Sequence, residues 1–116
     1  MRRHIAFSIS VIVRSYYVII VKIENNCISA SGHAGYAPKG YDIVCAAFSA
    51  LSFTLERAVK ELTDDIVSIS IQNGLMQAHW RILSPKGRLL MDAYIGGIKA
   101  LAECYPEYIK VQVRNT

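Results

Sequence analysis

Paired cysteines are missing from this sequence. The three present, Cys27, Cys45 and Cys104, are an odd number with no CxxC spacing, which argues against both a disulfide framework and a structural zinc site. Three free thiols fit a reducing compartment, so a cytoplasmic location is expected. Charge is also sparse. Charged residues make up 19% of the chain against 53% hydrophobic, a balance that excludes an intrinsically disordered tail. Basic residues never form a block of five or six, so the net charge of +4 reads as a solvated basic surface and requires no direct contact with nucleic acid. No apolar run approaches the ~20 residues of a membrane span. Repeats, linkers and low-complexity tracts are absent too, and 116 residues suffice for one domain that buries its own core without metal or cofactor.

Acidic residues are lacking from the first 23 positions. There Arg2 and Arg3 precede the mostly apolar stretch Ile5–Val13, which imitates the start of an export signal. Arg14 interrupts the run, however, and no small-residue cleavage site follows it. Residues 1–16 are therefore read as an N-terminal extension of a single domain covering residues 1–116.

The remainder carries clear periodicities. Val18–Glu24 is rich in β-branched residues and predicts a strand, Asn25–Asn26 a turn, and Cys27–Ser31 a second, paired strand. Gly32 to Tyr41 holds three glycines and Pro38, a loop of the length that often carries function. Asp42 is a good N-cap for a helix whose predicted inner face is Val44, Ala47, Leu51, Leu55, Ala58, Val59 and Leu62. Ile66–Ile71 and Leu75–Ile82 flank Asn73–Gly74, the strongest short hairpin signal. Ser84–Pro85 opens a second helix, with Ser as cap and Pro at the first helical position. Its predicted face is Leu89, Leu90, Ala93, Tyr94, Ile98, Leu101 and Ala102, and Ile109–Val113 closes the chain as a strand. The order ββαββαβ predicts an α+β fold: one mostly antiparallel sheet with two helices packed on it.

Chemistry concentrates where the glycine-bearing loop meets the first helix. With Asp42 as cap, Cys45 falls in the first helical turn, where free backbone N–H groups and the positive end of the helix dipole favour an anion. A thiol so placed ionises more readily, and the thiolate is the nucleophile. His33 opens the loop, and Gly32 and Gly35 on either side of it allow the imidazole to fold back toward the thiol, a nucleophile–base pairing. The same N–H groups are the candidate donors to an oxyanion. The plainer reading makes Cys45 an inert core residue, because free cysteine is among the most buried residue types.

The residues themselves carry a resemblance that favours the reactive reading. Gly32-His33-Ala34-Gly35-Tyr36-Ala37 is followed by Gly40-Tyr41-Asp42-Ile43-Val44-Cys45-Ala46-Ala47-Phe48-Ser49-Ala50-Leu51. Near the end stand Gly97-Ile98-Lys99-Ala100-Leu101-Ala102-Glu103 and Tyr105-Pro106-Glu107-Tyr108-Ile109-Lys110-Val111. This pattern resembles the ribosomal-processing cysteine protease family, Prp, from about Val18 to Val113. The resemblance implies a homodimeric endopeptidase that removes the N-terminal extension of large-subunit ribosomal protein twenty-seven during ribosome maturation. It implies Cys45 as nucleophile and His33 as proton donor or acceptor. Asp42 matches a family position close to that pair, Ser49 one implicated in substrate contact, and Gly35 belongs to the loop that moves when substrate binds.

Asp42 admits two readings. Its carboxylate can orient His33 as a third catalytic member does, or it simply caps the helix. Because a negative charge near Cys45 opposes thiolate formation, the cap is favoured. Residues before about Tyr16 have no counterpart in typical members, and Pro38 stiffens the loop. Cys27 and Cys104 are read as packing residues, His79 as a surface or cross-strand residue, and Trp80 has no assigned role. The main alternative is a non-catalytic, ribosome-associated binding module of the same fold.

Overall fold

The computed structural model describes residues 18–32, 42–72 and 74–114. Strands β1 (Ile19–Glu24) and β2 (Cys27–Ser31) form a hairpin closed by Asn25 and Asn26, with Glu24 opposite Cys27. Helix α1 (Ile43–Leu62) follows, then the hairpin of β3 (Val67–Gln72) and β4 (Leu75–Trp80), helix α2 (Pro85–Cys104) and β5 (Ile109–Val113). This is the ββαββαβ order read from the sequence.

The sheet runs β3-β4-β2-β1-β5. Every neighbouring pair is antiparallel except β1 and β5, which run parallel in the register Ile19↔Ile109 to Ile23↔Val113. A parallel pairing needs a crossover connection, and α2 provides it on the way from β4 to β5. Alternation along each strand sorts the two faces. Ile19, Val21, Ile28, Ala30, Met76, Ala78, Trp80 and Ile109 share one core with Val44, Phe48, Leu55 and Val59 of α1 and Met91, Tyr94 and Ile98 of α2. The opposite face carries Lys22, Ser29, Ser68, Ser70, Gln77, His79 and Lys110, and it is mostly polar, with Ile20 and Leu75 as apolar exceptions.

Several sequence expectations shift. The second hairpin is tighter than predicted: Ile66 and Ile82 lie outside it, 89% and 81% exposed. On α1 the innermost stripe is Val44, Phe48, Ser52, Leu55 and Val59, while Leu62 faces solvent. On α2 it is Gly87, Met91, Tyr94 and Ile98, while Leu89 and Ala93 face outward. Both helices are rotated from the predicted face because a glycine and a serine occupy core positions, where apolarity alone does not look for them.

Trp80 is buried at the end of β4. Asn26 secures that end from the first hairpin turn: its side-chain amide donates to the carbonyls of Trp80 (3.0 Å) and Arg81 (2.9 Å), and Trp80 N–H donates to its carbonyl (3.2 Å).

Candidate active site

Asp42 adopts the extended backbone of an N-cap, and its Oδ1 accepts from Val44 N–H (3.1 Å) and Cys45 N–H (3.0 Å). Its own carbonyl accepts from Ala46 N–H at 3.1 Å. The cap fixes where the helix starts, and that places Cys45 in the first turn. The thiol is half-buried against the edge of the core. Ser49, one turn on, is half-buried on the same flank. No acidic residue lies within the first turn itself.

This geometry narrows one expectation. The amides of Val44 and Cys45 already serve the Asp42 carboxylate, so while the cap is held they are not free to stabilise an oxyanion. The cap also sets a carboxylate beside the Cys45 backbone, a charge that works against a thiolate as the helix dipole works for it.

His33, Gly35 and Pro38 lie outside the described residues, but Gly32, which precedes them, is described. Gly32 has φ +98°, a left-handed conformation, and a Cβ there would run into the carbonyl oxygen of Val18. Only glycine fits. Its N–H donates to Gly74 O at 3.0 Å, so the exit from β2 is tied to the β3–β4 turn, where Gly74 takes φ +77°.

Of the other cysteines, Cys27 sits half-buried on the polar sheet face, opposite Glu24 and His79. Burial and the Glu24 charge both push its thiol up. The packing role expected of Cys104 does not hold, because the residue falls off the buried stripe of α2 and is exposed. His79 is an exposed cross-strand residue, as expected. Among the described residues no three His, Cys, Asp or Glu side chains gather as a metal site, and no helix is long and apolar enough to cross a membrane.

Sequence reasoning missed Ser52. It is fully buried, its hydroxyl donates to Phe48 O (3.0 Å), and it lies 2.7 Å from the Tyr94 hydroxyl. With its proton committed to Phe48, Ser52 accepts from Tyr94, and this bond ties α1 to α2 two turns along from the cysteine. Burial pushes the Tyr94 phenol up to about 12, against a smaller lowering by Ser52. The one available signal was a serine inside an otherwise apolar helical stripe.

The family model described as "Cysteine protease Prp" matches residues 17–110. The chain belongs to the Prp cysteine protease family. Among curated relatives, the ribosomal processing cysteine protease Prp of Mycoplasma pneumoniae is 28% identical over 82% of this chain and 94% of its own length. Its namesake from Mycoplasma genitalium is 32% identical over 81% and 94%. The crystal structure of the ribosomal processing protease Prp from S. aureus, with a covalently linked product peptide, covers 84% of this chain and all of its own at a TM-score of 0.79 and 24% identity. At that identity the likeness establishes the fold, which this chain shares with the S. aureus protein: a five-stranded mixed sheet with two helices. The family match begins at Tyr17, so residues 1–16 precede it.

Proposed function

We propose that this Prp-family protease cleaves the precursor of large-subunit ribosomal protein twenty-seven, removing its N-terminal extension, with Cys45 as nucleophile and His33 as its proton-transfer partner. The observation that carries the reading is the seat of Cys45: half-exposed, in the first turn of a capped helix. His33 follows Gly32, whose conformation and bond to Gly74 fix where the loop starts. The thiolate attacks the scissile carbonyl, the amide C–N bond breaks, and His33 protonates the departing amine. Water then hydrolyses the thioester and restores the thiol.

In this reading Asp42 is the helix cap and a secondary contributor, Ser49 and Gly35 lie on the substrate side, and the enzyme acts as a homodimer in the cytoplasm. The test incubates the full chain with a peptide spanning the precursor's cleavage site and follows product by mass spectrometry. Cys45→Ala abolishes cleavage and His33→Ala nearly does, both remaining folded. Turnover at the wild-type rate by Cys45→Ala removes the nucleophile assignment. Cleavage of other peptides but not of the precursor peptide removes the substrate assignment alone.

A further inference from the structure

The sheet ends at β5 with an outer flank to which no strand among the described residues pairs. Arg114 N–H donates to Ile23 O (2.8 Å), and Tyr108 O accepts from Ile19 N–H (3.0 Å). The even-numbered residues of β5 thus turn their backbone groups toward β1, and Val111 and Val113 turn theirs outward. On the core side of that flank Val111 is half-buried and Val113 is 53% exposed, so an apolar row reaches solvent there. An open edge of this kind is a template for one more strand. A sequence suited to it precedes β1. Residues 1–17 lie outside the described residues, but Ile5–Val13 holds no proline, glycine or charge, and Ile5, Phe7, Ile9, Val11 and Val13 occupy every second position. Its Phe7-Ser8-Ile9-Ser10-Val11 repeats in kind the Val67-Ser68-Ile69-Ser70-Ile71 of β3. That strand forms the other edge of the sheet, with its apolar residues toward the core and both serines exposed.

We infer that residues 5–13 add to the sheet as a further strand on the outer flank of β5, antiparallel to it. The length of chain selects this edge. From Val13 to Val18 the chain reaches at most about 17 Å when extended. Strands lie ~4.8 Å apart, so the outer flank of β5 is about 10 Å from β1, whereas the outer flank of β3, beyond β2, β4 and β3 itself, is about 19 Å away. Direction and register follow from the start of β1. Ile19 pairs with Ile109, so a segment that turns back through residues 14–17 arrives with Val13 opposite Ile109, Val11 opposite Val111 and Ile9 opposite Val113. The outward backbone groups of Val111 and Val113 then exchange bonds with those of Val11 and Ile9. Ile9, Val11 and Val13 extend the apolar row on the core side, and Ser8 and Ser10 continue the face that carries Ser29, Ser68 and Ser70.

The experiment uses the full chain and two measurements. Amide exchange followed residue by residue by NMR is expected to find Val111 and Val113 N–H protected in the wild type. Ile9→Pro removes a donor from the added ladder and raises their exchange about tenfold or more, while Val21 and Ile28 at the sheet centre keep their protection. The second measurement reads the register. Ser10 falls opposite Gln112 as a non-hydrogen-bonded pair, with Cα atoms ~4.5 Å apart, within reach of a disulfide. Ser10→Cys with Gln112→Cys is expected to close a disulfide inside one chain on mild oxidation, mapped by peptide mass spectrometry and running as monomer on a non-reducing gel. Ile9→Cys with Gln112→Cys, on opposite faces, is not. Val111 and Val113 amides that exchange in the wild type as fast as an open chain overturn the inference. Protection that survives Ile9→Pro, or failure of the internal 10–112 disulfide to form, does so too. A 10–112 disulfide that joins two chains also overturns it, and gives the flank to the segment of a second copy.

Discussion

The two helices of this molecule begin in different ways, and the difference separates a structural end from the end proposed for chemistry. At the start of α2, Ser84 Oγ accepts from Gly87 N–H (3.1 Å) and donates to Asp65 Oδ2 (2.8 Å), and Ser84 N–H also donates to the Asp65 carboxylate. A carboxylate from outside the helix thus sits at its positive end, the favourable place for an anion. Gly87 leaves room for it, since a Cβ there would collide with Asp65. At the start of α1 the cap is the helix's own Asp42, and the side chain the first turn presents is a half-buried thiol. The same dipole is used at one end to lock a junction and lies at the other beside the thiol proposed as nucleophile.

The sharpest break of that contrast is Cys45→Ala. It removes peptide cleavage by orders of magnitude and shifts the melting temperature little, because alanine replaces the small volume the half-buried thiol fills. Activity assay and calorimetry on the same sample check both halves.

The Ser52–Tyr94 tie between the helices comes next. The unfolded chain ionises Tyr94 near pH 10, whereas the folded protein holds its proton up to about 12. A raised acid pKa means the native state keeps protons that the unfolded state has lost, so stability falls as pH rises through 10 to 12, by roughly 2–3 kcal/mol from this group. In Tyr94→Phe the baseline is lower, from the lost hydrogen bond, and that part of the alkaline decline disappears. Denaturant melts at pH 8, 10 and 11.5 measure it.

At the α2 start, Gly87→Ala displaces the Asp65 carboxylate and breaks its bonds to Ser84, costing about 2 kcal/mol of stability by urea titration. Cleavage per folded molecule is unchanged, since Cys45 lies at the far end of α1. Smallest are the caps: Ser84→Ala and Asp42→Ala each cost about 1 kcal/mol, and Asp42→Asn only a few tenths. A large activity loss in Asp42→Asn without loss of stability would promote Asp42 from cap to catalytic member.

How much of this the sequence disclosed follows the range of the interactions. Asp42 and Ser84 cap residues two or three positions away, and Asn73–Gly74 sits between the strands it joins, so local chemistry announced both helices and the hairpin. Distant partners left no local trace. Asp65 meets Ser84 from 19 positions away, Ser52 meets Tyr94 from 42, and Asn26 holds Trp80 from 54. The parallel placement of β5 beside β1 is a crossover that alternation along either strand cannot specify. At the site, Asp42 and Cys45 were placed correctly because a cap counts residues along the chain. What the count could not show is that the cap already occupies two of the amides proposed for the oxyanion, those of Val44 and Cys45. The charges divide in the same uneven way: the described residues hold equal numbers of acidic and basic side chains, so the surplus of +4 belongs to Arg2, Arg3, Arg14 and Lys39, outside them.

The most direct measurement of the contrast is the alkylation rate of each thiol in the native protein. Iodoacetamide is added at pH 6.5 to 8.5, and each cysteine is quantified by peptide mass spectrometry. The helix-start seat predicts that Cys45 is modified first across the range, and that His33→Ala slows it. It predicts slow labelling of Cys27, whose thiol is held up by burial and Glu24, and of Cys104, which is exposed but at the opposite end of a helix dipole. Equal rates for all three thiols, or Cys104 ahead of Cys45, would contradict the claim that the first turn of α1 seats a nucleophile.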